Sequence, residues 1–366
     1  MEAMGLDTSF YKNKKVFITG HTGFKGSWLT SWLIYSGAIV KGYALKPDTD
    51  PSMFNILEIE NKIENVFADI NDLKKIKDEV SDFKPEIVFH LAAQPLVRES
   101  YSDPQYTFST NVLGTVNLLE AVRNCSSVKS LVIITTDKVY KNHEKAEGYK
   151  ENEELGGYDP YSASKACCEI VADSYRQSFF NKSEVLIATA RAGNVIGGGD
   201  WSKDRIIPDA VKAFSIGEKL KVRNPDSVRP WQHVLEPLSG YLMLGEMLYK
   251  RKKKFEGAWN FGPEKNDKLN VGELAEIITK SWSSNASYET VKLKDQPHET
   301  SLLSLDISKA KSELSWSPVY NSKEALEKTI EWYKDFYSGS KDMCEKTIEQ
   351  VSQYEELTKS VEHTGA

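Results

Sequence analysis

The chain has 366 residues, and its 47 basic and 53 acidic side chains leave a formal net charge of only −6. Such a balance favours neither a nucleic-acid partner nor a membrane partner. No apolar run approaches the roughly 18 residues that cross a bilayer, and the N-terminal segment lacks the apolar core of a secretory signal. The four cysteines show no metal-ligand spacing, which favours reduced thiols in a cytoplasmic protein without a metal site.

The first half of the chain alternates short apolar segments with longer amphipathic ones. The apolar segments predict strands at Lys15–Thr19, Ile39–Ala44, Ile63–Phe67, Ile87–Leu91, Ser130–Thr135 and Val185–Ala190. Helical periodicity predicts helices over Phe24–Ser36, Leu73–Phe83, Thr110–Asn124 and Ser162–Phe179. Strands that are apolar throughout and separated by helices indicate a parallel sheet covered on both faces. The predicted fold class is therefore α/β, with a Rossmann-type doubly wound parallel sheet.

The pattern changes after residue 191, where short strands, loops and helices mix. Helical periodicity returns at Leu235–Lys250, Val271–Trp282 and Lys323–Tyr337. We interpret 1–191 as the Rossmann domain and 192–337 as mainly a smaller C-terminal α/β domain, with some segments interleaved with the first. Residues 338–366 are polar and poor in aliphatic side chains, which predicts a frayed helix or a disordered tail.

Three glycines follow the first predicted strand and open the first predicted helix, in the segment GHTGFKG at 20–26. Gly20 would permit a tight turn, Gly23 the close approach of a pyrophosphate, and Gly26 tight packing of helix on strand. The amides and dipole at the helix N-terminus would bind the phosphates. The string alone is weak evidence, but the order strand, turn, helix favours a cofactor site over a structural turn.

Two later strand ends extend this predicted cofactor site. Asp69 and Ile70 follow the third strand, where a carboxylate could accept a hydrogen bond from an adenine amino group; a helix cap is the alternative for Asp69. Leu91, Ala92 and Ala93 follow the fourth strand, and small residues there let a flat ligand lie against the backbone.

The end of the second predicted strand lacks the acidic residue that would hold a ribose of the dinucleotide. The segment KGYALK at 41–46 ends in Lys46, which could contact a phosphate or be solvated. This position therefore does not distinguish NAD from NADP. A ribose held less firmly would let the purified protein lose its cofactor on dialysis.

Tyr161 and Lys165 stand four residues apart at the start of a predicted helix and so share one helix face. A tyrosine with a pKa near 10 is a poor base at neutral pH, and a nearby ammonium would lower that pKa. The phenolate could then take a hydroxyl proton while hydride leaves the same carbon. An ordinary surface pair is the alternative, but the glycine turn and the preceding Thr135-Thr136 favour a catalytic pair.

Together these motifs resemble, over about residues 14–337, the extended short-chain dehydrogenase/reductase family. The residues that carry the resemblance are Gly20, Gly23, Gly26, His90, Leu91, Ala92, Ala93, Asn111, Tyr161 and Lys165. The family implies NAD as cofactor, a C-terminal domain that binds a nucleotide sugar, and a homodimer formed through Thr110–Asn124 and Ser162–Phe179. The cofactor contacts that it implies are Gly20, Thr22, Gly23, Phe24, Gly26, Asp69, Ile70, Leu91, Ala92, Ala93, Asn111, Tyr161 and Lys165.

The segment TTDK at 135–138 resembles the Thr-Asp-Glu motif of the sugar-nucleotide 4,6-dehydratases in this family, with Lys138 in place of the glutamate. With QPLVR at 94–98 and RPWQHV at 229–234, it is most similar to those that act on CDP-glucose. The implied reaction oxidises C4 of the sugar, removes the C5 proton, expels the C6 hydroxyl and returns hydride to C6.

The resemblance also implies roles for the catalytic residues. Tyr161 is the base at the C4 hydroxyl, Lys165 its electrostatic partner and a ribose contact, and Thr136 a hydrogen-bond support. Asp137 is the candidate acid at C6, which requires a raised pKa, and Lys138 the candidate base at C5, which requires a lowered one. The opposite assignment, with Lys138 protonated and Asp137 as the base, is also open.

Substrate contacts follow from the same resemblance. Asn194 and Arg229 would bind the substrate diphosphate, for which a guanidinium supplies a fork of donors. The substrate-binding residues implied are Gln94, Asn194, Arg205, Arg229 and His298. A surface loop is the alternative around His298, and the preference for CDP rests on the resemblance alone.

Two other functions compete with a dehydratase. One is a 4-epimerase or reductase on the same scaffold, against which Asp137 and Lys138 speak because a C4 epimerase has no hydroxyl to expel. The other is a non-catalytic Rossmann binding protein, for which the hydroxyl of Tyr161 would be dispensable.

Overall fold

The computed structural model describes residues 5–145, 147–283, 285–291 and 303–364. The strands in that part of the chain are β1 (Lys15–Thr19), β2 (Ile39–Ala44), β3 (Glu64–Phe67), β4 (Ile87–His90), β5 (Ser130–Ile134), β6 (Leu186–Ala192), β7 (Asn194–Ile196), β8 (Leu220–Val222), β9 (Val228–Arg229), β10 (Trp231–His233), β11 (Gly257–Phe261), β12 (Leu269–Asn270) and β13 (Tyr288–Thr290). The α-helices there are α1 (Phe24–Tyr35), α2 (Met53–Ile56), α3 (Leu73–Phe83), α4 (Val97–Ser102), α5 (Pro104–Phe108), α6 (Gly114–Arg123), α7 (Pro160–Tyr175), α8 (Ile206–Ser215), α9 (Leu235–Tyr249), α10 (Val271–Trp282), α11 (Ser308–Glu313), α12 (Ser322–Ser338) and α13 (Met343–Thr364). None of the helices described has both the length and the apolar character that a membrane span requires.

Seven parallel strands form the central sheet, in the order β11-β6-β5-β4-β1-β2-β3. The six strands predicted from the sequence all form within it, in the strand order of a doubly wound dinucleotide-binding fold, and the order reverses between β1 and β4. The predicted fold class is confirmed. The predicted helix Thr110–Asn124 begins with a π-helical turn at Ser109–Leu113, and Ser162–Phe179 ends with another at Arg176–Phe180.

Alternate residues of the strands point to opposite faces of the sheet, and helices cover both faces. Phe17 of β1 packs in a core with α3 and α6, whereas its neighbours Val16 and Ile18 pack in a second core with α1 and α9. Because the faces are covered, the carboxyl ends of the strands are where a ligand can reach the sheet.

The chain after β6 contributes both to the central sheet and to a second, smaller region. Helix α9 lies against β4, β5 and β6, and β11 pairs with β6 as the seventh strand of the sheet. Helices α8, α10 and α12 and three two-stranded pairs, β7 with β10, β8 with β13 and β9 with β12, form a smaller region. Segments of the predicted second domain thus interleave with the sheet, while the boundary at residue 191 remains a prediction.

The prediction of a frayed helix or disordered tail over 338–366 is wrong for the part of that segment that the structure describes. Helix α13 packs against α1 and α12, and its Val351 and Tyr354 are fully buried. The Glu355 carboxylate accepts hydrogen bonds from the indole of Trp32 and the hydroxyl of Thr8, both at 2.7 Å. The side chains that pack this helix into the protein are aromatic and polar ones at helical spacing. The prediction was based on the small number of aliphatic residues and therefore missed them.

Candidate active site

The carboxyl ends of β1, β4 and β5 meet at one edge of the sheet, and the turns after them form the candidate site. Thr19 lies opposite His90, and His90 opposite Ile133. The Thr19 hydroxyl lies 2.7 Å from Nδ1 of His90 and accepts a hydrogen bond from the Ala92 amide at 3.2 Å. These contacts hold the turn after β1 against the turn after β4.

The turn after β1 has no room for side chains at two of its glycines. Gly20 has φ of +75°, and a Cβ there would lie 2.6 Å from the Ala92 nitrogen. A Cβ at Gly26 would lie 2.1 Å from the Gly20 oxygen. Gly23 is the N-cap of α1 and provides no side-chain cap, so the first amides of the helix remain donors for an anion. The turn therefore has the shape and chemistry of a pyrophosphate cradle.

The other predicted cofactor residues of this turn make contacts within the protein. The Thr22 hydroxyl donates to the Leu45 oxygen at 2.9 Å and so ties the turn to the end of β2. The Phe24 ring lies against Gly197, where a Cβ would be 3.1 Å from it. Both contacts connect the cradle to neighbouring segments of the site.

Asp69 and Ile70 lie at the carboxyl end of β3. The exposed Asp69 carboxylate accepts hydrogen bonds from the backbone and side-chain nitrogens of Asn71, at 2.9 and 3.1 Å. It does not cap α3, because Asp72 does so by accepting from the Lys75 amide. Ile70 is buried, and a Cβ at Gly114 of α6 would lie 2.6 Å from it.

Asn111 and Gln94, predicted to contact ligands, bond to other protein groups. The buried Asn111 amide accepts from the Gln94 nitrogen at 2.8 Å and donates to the Ser164 hydroxyl at 2.8 Å. The Gln94 side chain donates to the Thr107 hydroxyl at 2.9 Å and to the Leu96 oxygen at 3.1 Å. Asn111 thus joins the turn that follows β4, with Leu91, Ala92 and Ala93, to helix α7.

Tyr161 lies in the first turn of α7, which Asp159 caps, and its phenol lies close enough to Thr136 for that side chain to affect its pKa. Burial raises the pKa of the Tyr161 phenol to about 12, and the charge of Asp137 adds to this effect. The Thr136 side chain and the charge of Arg205 act in the opposite direction. The phenol is therefore protonated at neutral pH in the protein as described.

Lys165 lies one helical turn beyond Tyr161 and is also buried. Its Nζ donates to the Ile134 oxygen at 3.1 Å. Burial lowers the pKa of Lys165, while Cys168 and Glu169 raise it. Thr136 and Arg205 are groups that lower the pKa of Tyr161, and the expectation that the Lys165 ammonium also lowers it stays a prediction.

Asp137 and Lys138 form an ion pair in a short 3₁₀ turn after β5. The Asp137 carboxylate is buried and accepts from Lys138 Nζ at 3.2 Å and from the Thr136 hydroxyl at 3.0 Å. Lys138 is about one-third exposed, with 34% of its side chain accessible. A buried carboxylate and a partly exposed ammonium thus lie together, and the charge of the carboxylate acts on the nearby Tyr161 phenol.

The predicted substrate residues approach this ion pair from the second region. Asn194 begins β7 and lies opposite Trp231 of β10. Its neighbour Gly193 lies against the ion pair, because a Cβ there would be 3.2 Å from Oδ2 of Asp137 and 3.4 Å from Pro230. Arg229, next to Pro230, donates to the Val228 oxygen at 3.0 Å.

Arg205 and His298 complete the predicted set. Arg205 precedes α8, donates to the Asp200 carboxylate at 2.7 Å, and lies near enough to lower the pKa of Tyr161. His298 lies outside the described residues.

Lys25 is a site residue that the sequence analysis missed. It lies in the first turn of α1 and is partly buried. Burial and the charge of Arg205 together lower the pKa of its ammonium to about 7, and the charge of Asp137 opposes them. The lysine of the glycine turn is thus electrostatically coupled to the segment after β5, and its sequence signal is a positive charge within the turn.

This geometry combines a pyrophosphate cradle with a phenol and an ion pair. A sequence profile of the family described as GDP-mannose 4,6 dehydratase matches residues 17–329. The chain is 48% identical over 358 residues to CDP-glucose 4,6-dehydratase of Salmonella typhimurium. The alignment covers 96% of this chain and 99% of that protein.

Two solved structures show the same fold at low identity. An epimerase of Methanothermobacter thermautotrophicus superposes with a TM-score of 0.77 and 24% identity, over 91% of this chain and 96% of that one. The dTDP-glucose 4,6-dehydratase of Streptomyces venezuelae, solved with NAD bound, has a TM-score of 0.75 and 22% identity, over 89% and 98%. Since the family profile and the Salmonella relative both span nearly the whole chain, the chain belongs to the GDP-mannose 4,6 dehydratase family, within the extended short-chain dehydrogenases/reductases.

Proposed function

We propose that the chain is a CDP-glucose 4,6-dehydratase that uses NAD and converts CDP-D-glucose to CDP-4-keto-6-deoxy-D-glucose. The observation that carries the proposal is the Asp137–Lys138 ion pair, 3.2 Å long, beside the phenol of Tyr161. A dehydration needs one group that removes a carbon-bound proton and one that protonates the departing hydroxyl. The 48% identity to the Salmonella enzyme supports the same reaction and the same nucleotide.

The residues present fit NAD. The amides after Gly23 would hold its pyrophosphate, because the turn is closed to side chains at Gly20 and Gly26. When bound, NAD accepts hydride from C4 of the sugar and returns it at C6. Lys165 would contact its ribose.

Tyr161 takes the proton of the C4 hydroxyl. It must first lose its own proton, and the two groups that lower its pKa, Thr136 and Arg205, favour that loss. Lys165, one turn along the same helix face, adds a positive charge on the side of the ribose. Thr136 also holds the acid in place, since its hydroxyl donates to the Asp137 carboxylate at 3.0 Å.

The ion pair supplies both proton transfers of the elimination. Moving one proton across the 3.2 Å contact from Lys138 to Asp137 gives an amine and a carboxylic acid. The amine of Lys138 takes the C5 proton, which the 4-keto group has acidified, and Asp137 protonates the C6 oxygen, which leaves as water. The pair is then an ammonium and a carboxylate. Hydride return to C6 requires a proton at C5, which the Lys138 ammonium donates, and the proton that Tyr161 took from the C4 hydroxyl replaces it, so the steps sum to the loss of one water.

Product analysis tests the proposal against an epimerase. The protein is incubated with NAD and, in separate reactions, with CDP-, dTDP-, UDP- and GDP-linked hexoses. A 4-keto-6-deoxy product from CDP-glucose, formed faster than from the others, is the expected result. A C4 epimer without loss of water would overturn the dehydratase, and a faster reaction of another nucleotide would overturn the CDP assignment.

Homodimer formation through α6 and α7 is part of the proposal. Large apolar side chains are exposed on α7, on α5 and on the π-helical turns next to α6 and α7: Tyr106, Phe108, Leu113, Ile170 and Phe179. Ile170 and Leu113 are 57% and 50% exposed, and a second copy of the chain would cover them. Ile170→Glu should yield a monomer by analytical ultracentrifugation, whereas Ile216→Glu, at a 71% exposed site on another face, should not.

A cytoplasmic location is likewise proposed, from the thiols. All four cysteines are free, and the adjacent Cys167 and Cys168 are not bridged. Unbridged cysteines fit a reducing compartment.

A further inference from the structure

Glu169 lies on the helix face that carries the proposed catalytic pair, one turn beyond Lys165 and two beyond Tyr161. Its carboxylate is almost inaccessible and forms a two-pronged ion pair with Arg191 of β6. Nε and Nη2 of Arg191 donate to Oε1 and Oε2, both at 2.9 Å. A buried pair with this geometry is costly to break on one side only, because the remaining charge stays buried.

Two buried threonines complete the coordination of this carboxylate. The Thr135 hydroxyl donates to Oε1 and the Thr189 hydroxyl to Oε2, each at 2.5 Å. The two contacts are chemically alike but differ in position. Thr189 lies within β6, whereas Thr135 immediately precedes the catalytic segment Thr136–Lys138.

The same ion pair reaches the other end of that segment. Nη1 of Arg191 donates to the Tyr140 hydroxyl at 2.6 Å, and Tyr140 follows Lys138 by two residues. The Tyr140 hydroxyl donates in turn to the Asn260 side chain at 2.8 Å. The catalytic segment therefore begins and ends next to residues bound to one buried pair, Glu169 and Arg191.

We propose that Glu169 and Arg191 are positioning residues that clamp the segment Thr136–Lys138 from both ends and fix it relative to Tyr161 and Lys165. The inference rests on the proposed function of that segment. Glu169 sits on the same rigid helix as Tyr161, so its bond to Thr135 sets the distance between the phenol and the ion pair. A displacement of about 1 Å at such a site costs on the order of 100-fold in rate.

The matched substitutions Thr135→Val and Thr189→Val test the clamp. Each removes one hydroxyl donor to the same carboxylate and keeps the shape of the side chain. If the network only stabilises the fold, both variants lose stability and activity equally. If it positions the segment, Thr135→Val lowers kcat at least about ten-fold with similar KM, whereas Thr189→Val stays within about two-fold at a comparable loss of stability. Equal kcat values would overturn the proposal.

Hydrogen exchange gives a readout that does not depend on the reaction. The amides of Thr136–Val139 should exchange faster in Thr135→Val than in the unmodified chain, and at the unmodified rate in Thr189→Val. Unchanged exchange in Thr135→Val would overturn the clamp. Absence of the 4-keto-6-deoxy product from the unmodified chain would instead reject the proposed function, and the exchange rates would still decide on the clamp.

Tyr140→Phe tests the other end of the clamp and serves if Thr135→Val does not fold. It removes the hydroxyl between Arg191 and Asn260 and keeps the ring, which stacks on Tyr149. We expect a similar fall in kcat and faster exchange at Val139. If kcat and the exchange rate at Val139 both keep their unmodified values, the clamp at this end is overturned.

Discussion

The turn after β1 and the segment after β5 lie at the same edge of the sheet but are held in place in different ways. The turn is shaped by backbone contacts, since Gly20 and Gly26 leave no space for a Cβ. The segment is held by side chains, through the hydrogen bonds of Thr135 and Tyr140 to a buried ion pair. Binding a phosphate needs only peptide amides, which any sequence supplies once glycine permits the turn. Moving protons needs particular side chains held at fixed distances, so the second region requires partners from elsewhere in the chain.

The largest effect should come from removing the phenol. Tyr161→Phe keeps the ring but removes the group that takes the C4 proton, so kcat should fall by about 10²- to 10⁴-fold. The affinity for NAD should change little, because the backbone turn is untouched. Tyr158→Phe, at a neighbouring tyrosine that is 80% exposed, should keep kcat within about two-fold. A Tyr161→Phe variant with full activity would support a non-catalytic binding protein instead.

Reactions in deuterium oxide should distinguish the roles of the two members of the ion pair. Lys138→Met should lose exchange of the C5 proton in recovered substrate and form product about 100-fold more slowly, because the base is absent. Asp137→Asn should form product as slowly but still exchange the C5 proton of recovered substrate, since the acid is missing while the partly exposed Lys138 can give its proton to solvent instead of to Asp137. Mass spectrometry of product and recovered substrate measures both. The reverse pattern would assign Asp137 as the base and Lys138 as the acid.

The two regions also differ in how far the sequence predicts them. Glycines at 20, 23 and 26 after an apolar strand suffice to predict the turn, because all its determinants are local. The sequence also identifies Tyr161, Lys165 and the Asp137–Lys138 segment, but not the Glu169–Arg191 pair, whose members are 22 residues apart and lie on different elements. The same limit applies to α13, whose packing depends on Trp32 and Thr8 at the far end of the chain. Which of these residues are buried, and which distant residues they contact, depends on the whole fold and cannot be predicted from local sequence patterns.

Two glycine substitutions sharpen the comparison within the first region. A Cβ at Gly26 would lie 2.1 Å from the Gly20 oxygen, so Gly26→Ala must displace the turn or α1. We expect it to lose about 1–3 kcal/mol of stability and at least about ten-fold in NAD affinity.

A Cβ at Gly23 would lie 3.6 Å from the same oxygen, an ordinary contact. Gly23→Ala should therefore keep its stability within about 0.5 kcal/mol and lose only NAD affinity. Denaturant unfolding and calorimetric titration measure the two quantities, and unchanged NAD affinity in Gly23→Ala would place the pyrophosphate elsewhere.

Lys25 lies in the turn after β1, but its charge interacts with the segment after β5. Of these substitutions, removal of Lys25 should have the smallest effect. Burial, with Arg205, lowers the pKa of Lys25 to about 7, against about 10.4 in an unfolded chain. Between these values the unfolded chain binds a proton that the folded chain does not, so the folded state loses stability as pH falls from about 10 to 7. Lys25→Met should therefore be more stable than the unmodified chain by about 1 kcal/mol or more at pH 7, with a difference that shrinks as pH rises to 10. Lys182→Met, at an exposed lysine, should show no such trend in denaturant unfolding at each pH. A Lys25→Met advantage that does not depend on pH would mean that Lys25 carries its charge in the folded chain, as the nearby Asp137 favours.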